Sequence, residues 1–216
     1  MERFVDIALW VVPILLAVIL HEVAHGWMAH RLGDPTAAER GRLTLNPIAH
    51  VDLLGTIIVP LLLVLSKTGF VFGWAKPVPI NYANLRHPRR DMILVAAAGP
   101  VTNLLIAAFA AVVVHGMTAI LPQTTSGPSR AAIVALAVMA TYTVTTNVFL
   151  GIFNLLPIPP LDGGRVMTGL LPRSLARGFA RVEPFGFVIV FALLASDALG
   201  PIVGAPAELI LRLLLG

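Results

Sequence analysis

The stretch that decides the fold is His21-Glu22-Val23-Ala24-His25, near the end of an apolar run that begins at Phe4. The run is long enough to cross a bilayer as a helix, which takes about 20 apolar residues. Residues four apart share a helical face, so His21 and His25 can bind one metal ion together. Glu22 points about 100° away, where it can reach a water molecule beside that ion. Ionisable groups are costly at membrane depth, so the stretch predicts a functional site inside a membrane helix.

The composition is that of an integral membrane protein. Of the 216 residues, 57% are hydrophobic and 12% are charged, and the mean hydropathy is +0.89. The length predicts a single domain over residues 1–216. The chain has no cysteine, which excludes disulfides and thiolate metal ligands. The net charge of +4 does not indicate a nucleic-acid partner, because the basic residues lie where cytoplasmic loops are expected.

The apolar runs predict an all-α polytopic membrane protein with a core of three transmembrane helices. These full spans are 4–30, 92–121 and 131–156. Residues 53–66 are apolar but short and interrupted by Pro60, so we expect a re-entrant or short segment. One or two C-terminal helices follow: 185–199 indicates a fourth span, and 200–216 fits a re-entering or an interfacial helix.

Three connecting segments contain most of the 15 lysine and arginine residues: 31–52, 67–91 and 162–183. The positive-inside rule places all three in the cytoplasm and the N-terminus outside. We therefore expect a multi-pass protein of the inner (plasma) membrane. The histidine motif, Gly99-Pro100, Asn154 and Asp162 then all lie at the inner ends of spans, which predicts a site towards the cytoplasmic side.

A zinc hydrolase site usually has three protein ligands and leaves the fourth position to water. Candidates for the third ligand beside His21 and His25 are His30, His50, Asp52, His87 and Asp162. His30 points to another helical face. His50 and Asp52 lie close to the membrane and could instead orient a ligand. Asp162 is favoured because it follows the third span in a proline-rich, glycine-flanked turn, with a turn or cap role as its alternative.

Two segments are expected to be extended. Residues 41–47 alternate in polarity, and 72–81 contain prolines that disfavour helix in the preceding residue. Since both lie near the predicted site, we expect a small membrane-associated β-ribbon. Its edge would pair with a substrate helix that has unwound.

Three motifs together resemble the site-2 protease family of intramembrane zinc metalloproteases. They are His21–His25, Gly99-Pro100-Val101-Thr102-Asn103 and the stretch from Asn154 to Gly163, in the family's order. The chain is similar to the compact bacterial type without PDZ or CBS domains. The matching region covers most of a catalytic core at about 4–165, with C-terminal helices at about 184–216.

The resemblance implies one Zn²⁺ per chain, bound by His21, His25 and Asp162, with Glu22 as general base. It also implies a role in substrate binding or transition-state support for Asn154 and Asn103. An interhelical hydrogen bond without a catalytic part is the alternative for Asn103. The expected reaction is peptide-bond hydrolysis within or near a transmembrane segment, so the partners are a transmembrane protein substrate and the lipid bilayer.

Two other classes compete with this interpretation. A non-proteolytic membrane scaffold or transporter could also contain intramembrane proline, glycine and asparagine. A prenyl-protein protease shares the histidine motif, but it needs a glutamate as third ligand. Glu183 and Glu208 do not lie in a suitable motif for that role.

Overall fold

The structure is a computed structural model that describes residues 2–66, 73–123, 127–196 and 198–216. Parts of the predicted segments 67–91, 72–81 and 122–130 therefore lie outside the described residues. In chain order, the helices of the described residues are α1 (Glu2–Arg31), α2 (Thr36–Glu39), α3 (Val59–Leu65), α4 (Pro88–Ile120), α5 (Pro128–Asn154), α6 (Asp162–Leu170), α7 (Arg173–Ala180), α8 (Gly186–Ala195) and α9 (Leu199–Leu215).

Three helices are long and apolar enough to cross a membrane, which confirms the predicted helical core. They include Leu9–Arg31 of α1 and the whole of α4 and α5. Helix α4 begins at Pro88, four residues before the predicted start, because proline is well suited to a first helical turn. The Gly99-Pro100 pair lies within α4 and does not end it.

Helix α4 lies at the centre of the bundle, where it packs against α1, α5 and α6. Small residues line much of this packing. One buried cluster joins α4, α5 and α9 and contains Ala107, Ala110, Ala111, Val144, Val148 and Ala207. Small side chains let helix backbones approach closely, and this contact is a main source of helix association in a bilayer.

The predicted short segment begins as a π-helical turn, Leu53–Ile58, and continues as α3. Together they form an apolar stretch below the length of a membrane span. Asp52 precedes this stretch and accepts a hydrogen bond from the backbone of Gly55 at 2.7 Å. The expectation of a short segment is thus met.

The C-terminal region differs from the expected fourth span over 185–199. Helix α8 is only ten residues long, and the apolar stretch Val188–Leu194 meets α9 at a bend of 78°. Helix α9 packs against α5 and α4, with Ala207 fully buried. Residues 200–216 therefore pack against the helical bundle through α9, and the bent pair that α9 forms with Val188–Leu194 fits a broken span or a re-entrant segment.

The expected β-ribbon is not seen in the described part of the chain. Residues 41–47 contain a turn, bends and the first residue of a 3-10 helix, and 73–81 lack regular secondary structure. The backbone N–H groups of Trp74 and Lys76 donate to carbonyls of Gly55 and His50 rather than to a strand. Prolines at 77 and 79 have no N–H to donate. Arg42 connects the two segments, since it donates to the carbonyl of Lys76 at 2.8 Å.

Candidate metal centre and its surroundings

The third span's turn brings Asp162 to the two histidines of α1. Oδ2 of Asp162 lies 3.0 Å from Nε2 of His21 and 3.2 Å from Nε2 of His25. The two Nε2 atoms are 3.0 Å apart. All three residues are buried. Asp162 is far from the two histidines in the sequence, and the fold brings its carboxylate next to both rings.

The hydrogen bonds of the two Nδ1 atoms determine which tautomer of each histidine is present. Nδ1 of His21 lies 2.5 Å from Oδ1 of Asn103, and Nδ1 of His25 lies 2.7 Å from the carbonyl oxygen of Val95. Both partners are acceptors, so each Nδ1 carries a proton. In the neutral rings each Nε2 then presents a lone pair, which is the form that binds a metal.

These contacts fit a metal ion. Two Nε2 lone pairs and a carboxylate oxygen face one another at close range, and they repel unless a cation lies among them. Oδ2 of Asp162 is buried and has no hydrogen-bond donor among the described residues. The ligand atoms of a tetrahedral zinc ion lie roughly 3.3 Å apart, close to the separations seen here. Two imidazoles and one carboxylate are a donor set that zinc accepts.

Asp162 is held in place by the start of α6, of which it is the first residue. A Cβ on Gly163 would lie 2.2 Å from the carbonyl oxygen of Leu155, so only glycine lets the helix start so close to the preceding turn. Asp162 binds a cation in its carboxylate form.

Gly99 of α4 lies directly behind the histidine rings. A Cβ at this position would come within 2.4 Å of Nε2 of His25 and 2.7 Å of Cε1 of His21. No real side chain tolerates such contacts, so glycine is required for α4 to pack against the metal-binding face of α1.

A buried amide chain extends from His21 to α5. Nδ2 of Asn103 donates to Oδ1 of Asn147 at 2.7 Å and to the carbonyl of Ala17 at 3.3 Å. Nδ2 of Asn147 donates to the carbonyl of Thr143 at 2.9 Å. Both asparagines are fully buried. Asn103 therefore contacts His21, a predicted metal ligand.

Sequence reasoning missed Asn147. It lies seven residues before Asn154, two helical turns away, and so on the same face of α5. That spacing is a signal that could have identified it, because a second amide on the face that carries a motif asparagine points to the same interior.

Glu22 is held by the non-helical segment 73–81. Its Oε2 accepts a hydrogen bond from the backbone N–H of Val78 at 2.8 Å. The N–H groups of residues 74, 76 and 78 all donate hydrogen bonds, and in an extended chain the N–H groups of such alternate residues point to the same side. The backbone thus positions one carboxylate oxygen of Glu22 beside the histidines.

Asp34 anchors the far end of segment 73–81. Its carboxylate accepts from the backbone N–H of Asn81 at 2.7 Å, from Nδ2 of Asn84 at 2.9 Å and from the hydroxyl of Thr36 at 2.5 Å. Burial raises the pKa of Asp34, but these hydrogen bonds outweigh that effect and lower it below its ordinary value. Asp34 thereby ties the end of α1 to the segment that holds Glu22.

A cavity of about 320 Å³ opens beside the ligand atoms. Glu22, Asn154, Asp162 and Arg165 are among its polar lining residues, and segment 73–81 forms one wall. Nδ2 of Asn154 donates to the carbonyl of Leu150 within α5. Because Asn154 lines the cavity, a peptide bound there could contact its side chain.

His50 and Asp52 lie away from the ligand atoms. Nε2 of His50 lies 2.8 Å from the carbonyl of Thr44, and Asp52 caps the π-helical turn. Neither residue forms a hydrogen bond to His21, His25 or Asp162 in the described structure, so neither orients a ligand by direct contact.

Comparison with known proteins agrees with these features. Residues 9–196 match Peptidase family M50. The chain is 37% identical over 227 residues to "Putative zinc metalloprotease YwhC" of Bacillus subtilis, an alignment that covers 99% of this chain and 96% of that protein. No solved structure matches the chain.

A second relative is "Putative zinc metalloprotease Rip2" of Mycolicibacterium smegmatis. It is 32% identical to this chain over 187 residues, an alignment that covers 86% of this chain and 66% of that protein. The histidine motif, the Gly-Pro motif and the Asp162 turn all fall within the matched residues 9–196. The chain belongs to Peptidase family M50, the site-2 protease family.

Proposed function

We propose that the protein is an intramembrane zinc endopeptidase that hydrolyses peptide bonds within or next to transmembrane segments of other proteins. The observation that carries this proposal is the convergence of Nε2 of His21, Nε2 of His25 and Oδ2 of Asp162 beside a cavity that Glu22 lines. His21, Glu22 and His25 belong to a helix that is long enough to cross a bilayer, and Asp162 begins the short helix that comes after another such helix.

Zinc bound by His21, His25 and Asp162 would supply Lewis-acid activation of water and of the scissile carbonyl. The Val78 N–H holds Oε2 of Glu22, and Oε1 has no hydrogen-bond partner among the described residues. Oε1 is thus placed to take a proton from water as the water oxygen attacks the carbonyl carbon. Glu22 then passes that proton to the amide nitrogen, the C–N bond breaks, and a carboxyl and an amine terminus leave.

The substrate chain lies alongside segment 73–81 in this proposal. Residues 74, 76 and 78 use their N–H groups on one flank, so Ala75, Pro77 and Pro79 present their backbone towards the other flank. An unwound substrate would pair with this second edge, and Asn154 across the cavity would bind the peptide. Ala75→Pro removes the N–H on that edge. Cleavage should fall while zinc content is kept, and unchanged cleavage would refute the pairing.

We place the site towards the cytoplasmic side of the plasma membrane, with the N-terminus outside. The basis is the positive-inside rule applied to segments 31–52, 67–91 and 162–183. The His21–His25 stretch lies near the end of α1 that leads into the first of these segments. Cysteines introduced at Gly127 and at Arg40 should be labelled by a membrane-impermeant thiol reagent from opposite sides, with Gly127 accessible from outside the cell.

The central test uses Glu22→Gln. The purified wild type and variant are loaded with zinc, and the zinc content and cleavage of a panel of single-span membrane proteins are measured. We expect one zinc per chain in both proteins and cleavage only by the wild type. A non-proteolytic scaffold or transporter predicts no cleavage by either protein, and equal cleavage by both would remove Glu22 from the mechanism.

A further inference from the structure

A second cleft lies between the start of α4, the C-terminal half of α6, and α7. It has a volume of about 600 Å³. Its polar lining residues are Tyr82, Arg89, Thr168, Arg173 and Arg177, and the apolar ones are Pro88, Met92 and Ala176. This cleft shares no lining residue with the cavity beside His21 and His25.

The length of α4 predicts that the cleft lies near the lipid headgroups. Helix α4 begins at its edge, at Pro88, and runs to Ile120. A helix of 33 residues is about 50 Å long, longer than the ~30 Å hydrocarbon core, so its ends emerge among the headgroups. Leu170 and Leu175, next to the cleft, are 63% and 59% exposed, which suits contact with acyl chains.

Three arginines concentrate positive charge in the cleft. No acidic side chain lines it, and among the described residues Arg173 and Arg177 have no acidic partner within ion-pair distance. Arg173 and Arg177 are one helical turn apart on α7, so they share a face. Arginine binds phosphate through paired N–H donors, which makes this a suitable surface for a phosphate group.

Arg89 is fixed in advance of any ligand. Its Nε donates to the carbonyl of Gly169 at 2.9 Å, and its Nη2 donates to the carbonyl of Leu171. These bonds hold the guanidinium at the cleft edge and connect it to the end of α6, the helix that begins with Asp162. A ligand in the cleft would therefore contact the same short helix that carries a proposed metal ligand.

We propose that this cleft binds the phosphate of an anionic phospholipid headgroup, with Arg89, Arg173 and Arg177 as the phosphate donors and the neighbouring leucines in contact with the acyl chains. The positive charge of the cleft favours an anionic group, and its apolar lining residues Pro88, Met92 and Ala176 favour a lipid over free phosphate. A general attraction to anionic lipids depends only on the net charge of the protein surface that faces them. A specific lipid-binding site depends instead on Arg89, Arg173 and Arg177 themselves.

The test measures lipid binding and does not depend on proteolysis. Purified full-length protein in a neutral detergent is titrated with phosphatidylglycerol or phosphatidylcholine, and bound lipid is counted by native mass spectrometry. The test variant is Arg173→Gln with Arg177→Gln. The matched control is Arg40→Gln with Arg86→Gln, which removes the same charge from exposed residues outside the cleft.

We expect the wild type to prefer phosphatidylglycerol over phosphatidylcholine at least fivefold. The Arg173/Arg177 variant should lose that preference, and the Arg40/Arg86 control should keep its affinity within about twofold. An equal loss in both double variants, or no loss in the first, would refute the site. Inorganic phosphate that binds as tightly as the lipid would overturn the lipid assignment. Size-exclusion profiles and zinc content of each variant show that it is folded.

Discussion

Oδ1 of Asn147 on α5 accepts a hydrogen bond from Nδ2 of Asn103 on α4 at 2.7 Å. This contact is the shorter of two that orient the Asn103 amide, the other being to the carbonyl of Ala17; with Nδ2 facing these two acceptors, Oδ1 points to Nδ1 of His21. A reversed amide would present Nδ2 to His21 and favour the proton on Nε2, which cannot then bind a metal. Asn147 is thus a positioning residue for His21.

The first prediction concerns Asn147→Leu, which keeps the size of the side chain and removes its acceptor. We expect zinc affinity to fall by up to roughly 10-fold, the lower end of the range found when a direct hydrogen-bond partner of a metal ligand is lost, because Asn147 acts on His21 only through Asn103. Zinc affinity is measured by competition with a chelator and needs no substrate.

Two further variants distinguish this role from general packing. Asn147→Asp retains an acceptor for Asn103 and should keep more zinc affinity than Asn147→Leu. Thr145→Val loses only a hydrogen bond within its own helix, to the carbonyl of Thr141, and should leave zinc affinity unchanged. Equal zinc affinity in Asn147→Leu and the wild type would exclude the positioning role.

The second prediction concerns Gly99→Ala. The added Cβ would lie 2.4 Å from Nε2 of His25, so the histidine or the helix must move. We expect loss of bound zinc, measured by elemental analysis of the purified protein. Gly116→Ala in the same helix has no heavy atom within 4 Å of the added Cβ and should bind zinc like the wild type. Full zinc content in both variants would contradict the observed packing.

The third prediction concerns the Val78 N–H. Val78→Pro removes the donor to Glu22, and a hydrogen bond to a charged group contributes about 1.5–3 kcal/mol. If Glu22 is the general base, cleavage should fall roughly 10- to 100-fold while zinc content is retained. Val78→Ala keeps the N–H and loses packing only, so its cleavage should fall less. A similar loss in both variants would assign the effect to packing.

The fourth prediction concerns pH. Because hydrogen bonds lower the pKa of Asp34 in the folded protein, its contribution to stability is complete above its ordinary pKa and is lost as the pH falls through its folded value. The thermal midpoint of Asp34→Asn in detergent should lie several degrees below that of the wild type at pH 7. That difference should shrink below about pH 5.

Glu39→Gln is the control for the pH series, since Glu39 is an exposed acid on the adjacent helix α2. Its thermal midpoint should follow the wild type at every pH. A gap between Asp34→Asn and the wild type that stays constant from pH 7 down to about pH 2 would show that the carboxylate charge of Asp34 does not stabilise the fold.

The membrane helices were predictable because their signal is strong and local. Long apolar runs have few alternatives in a bilayer, so α1, α4 and α5 appear within a few residues of their expected bounds. The residues of the candidate site were predictable for a related reason. Polar groups such as His21 and Asp162 are rare in such a chain and mark the interior of the bundle.

The remaining features depend on partners that are distant in sequence. Segment 73–81 has the prolines of an extended chain, but its N–H groups donate to Gly55, His50 and Glu22, and no sequence pattern specifies those acceptors. Likewise, the basic stretch after Asp162 indicated a loop, yet it folds as α6 and α7. The carbonyls at the end of α6 accept from Arg89, some eighty residues earlier.

The position of Asp162 at the start of α6 has a consequence for how the enzyme is made. During synthesis, α1 enters the membrane with both histidines and Glu22, but the third proposed ligand is not yet translated. The nascent chain cannot complete a zinc site until α4, α5 and the following turn have been inserted and packed. Hydrolytic activity would thus begin only after these helices have assembled.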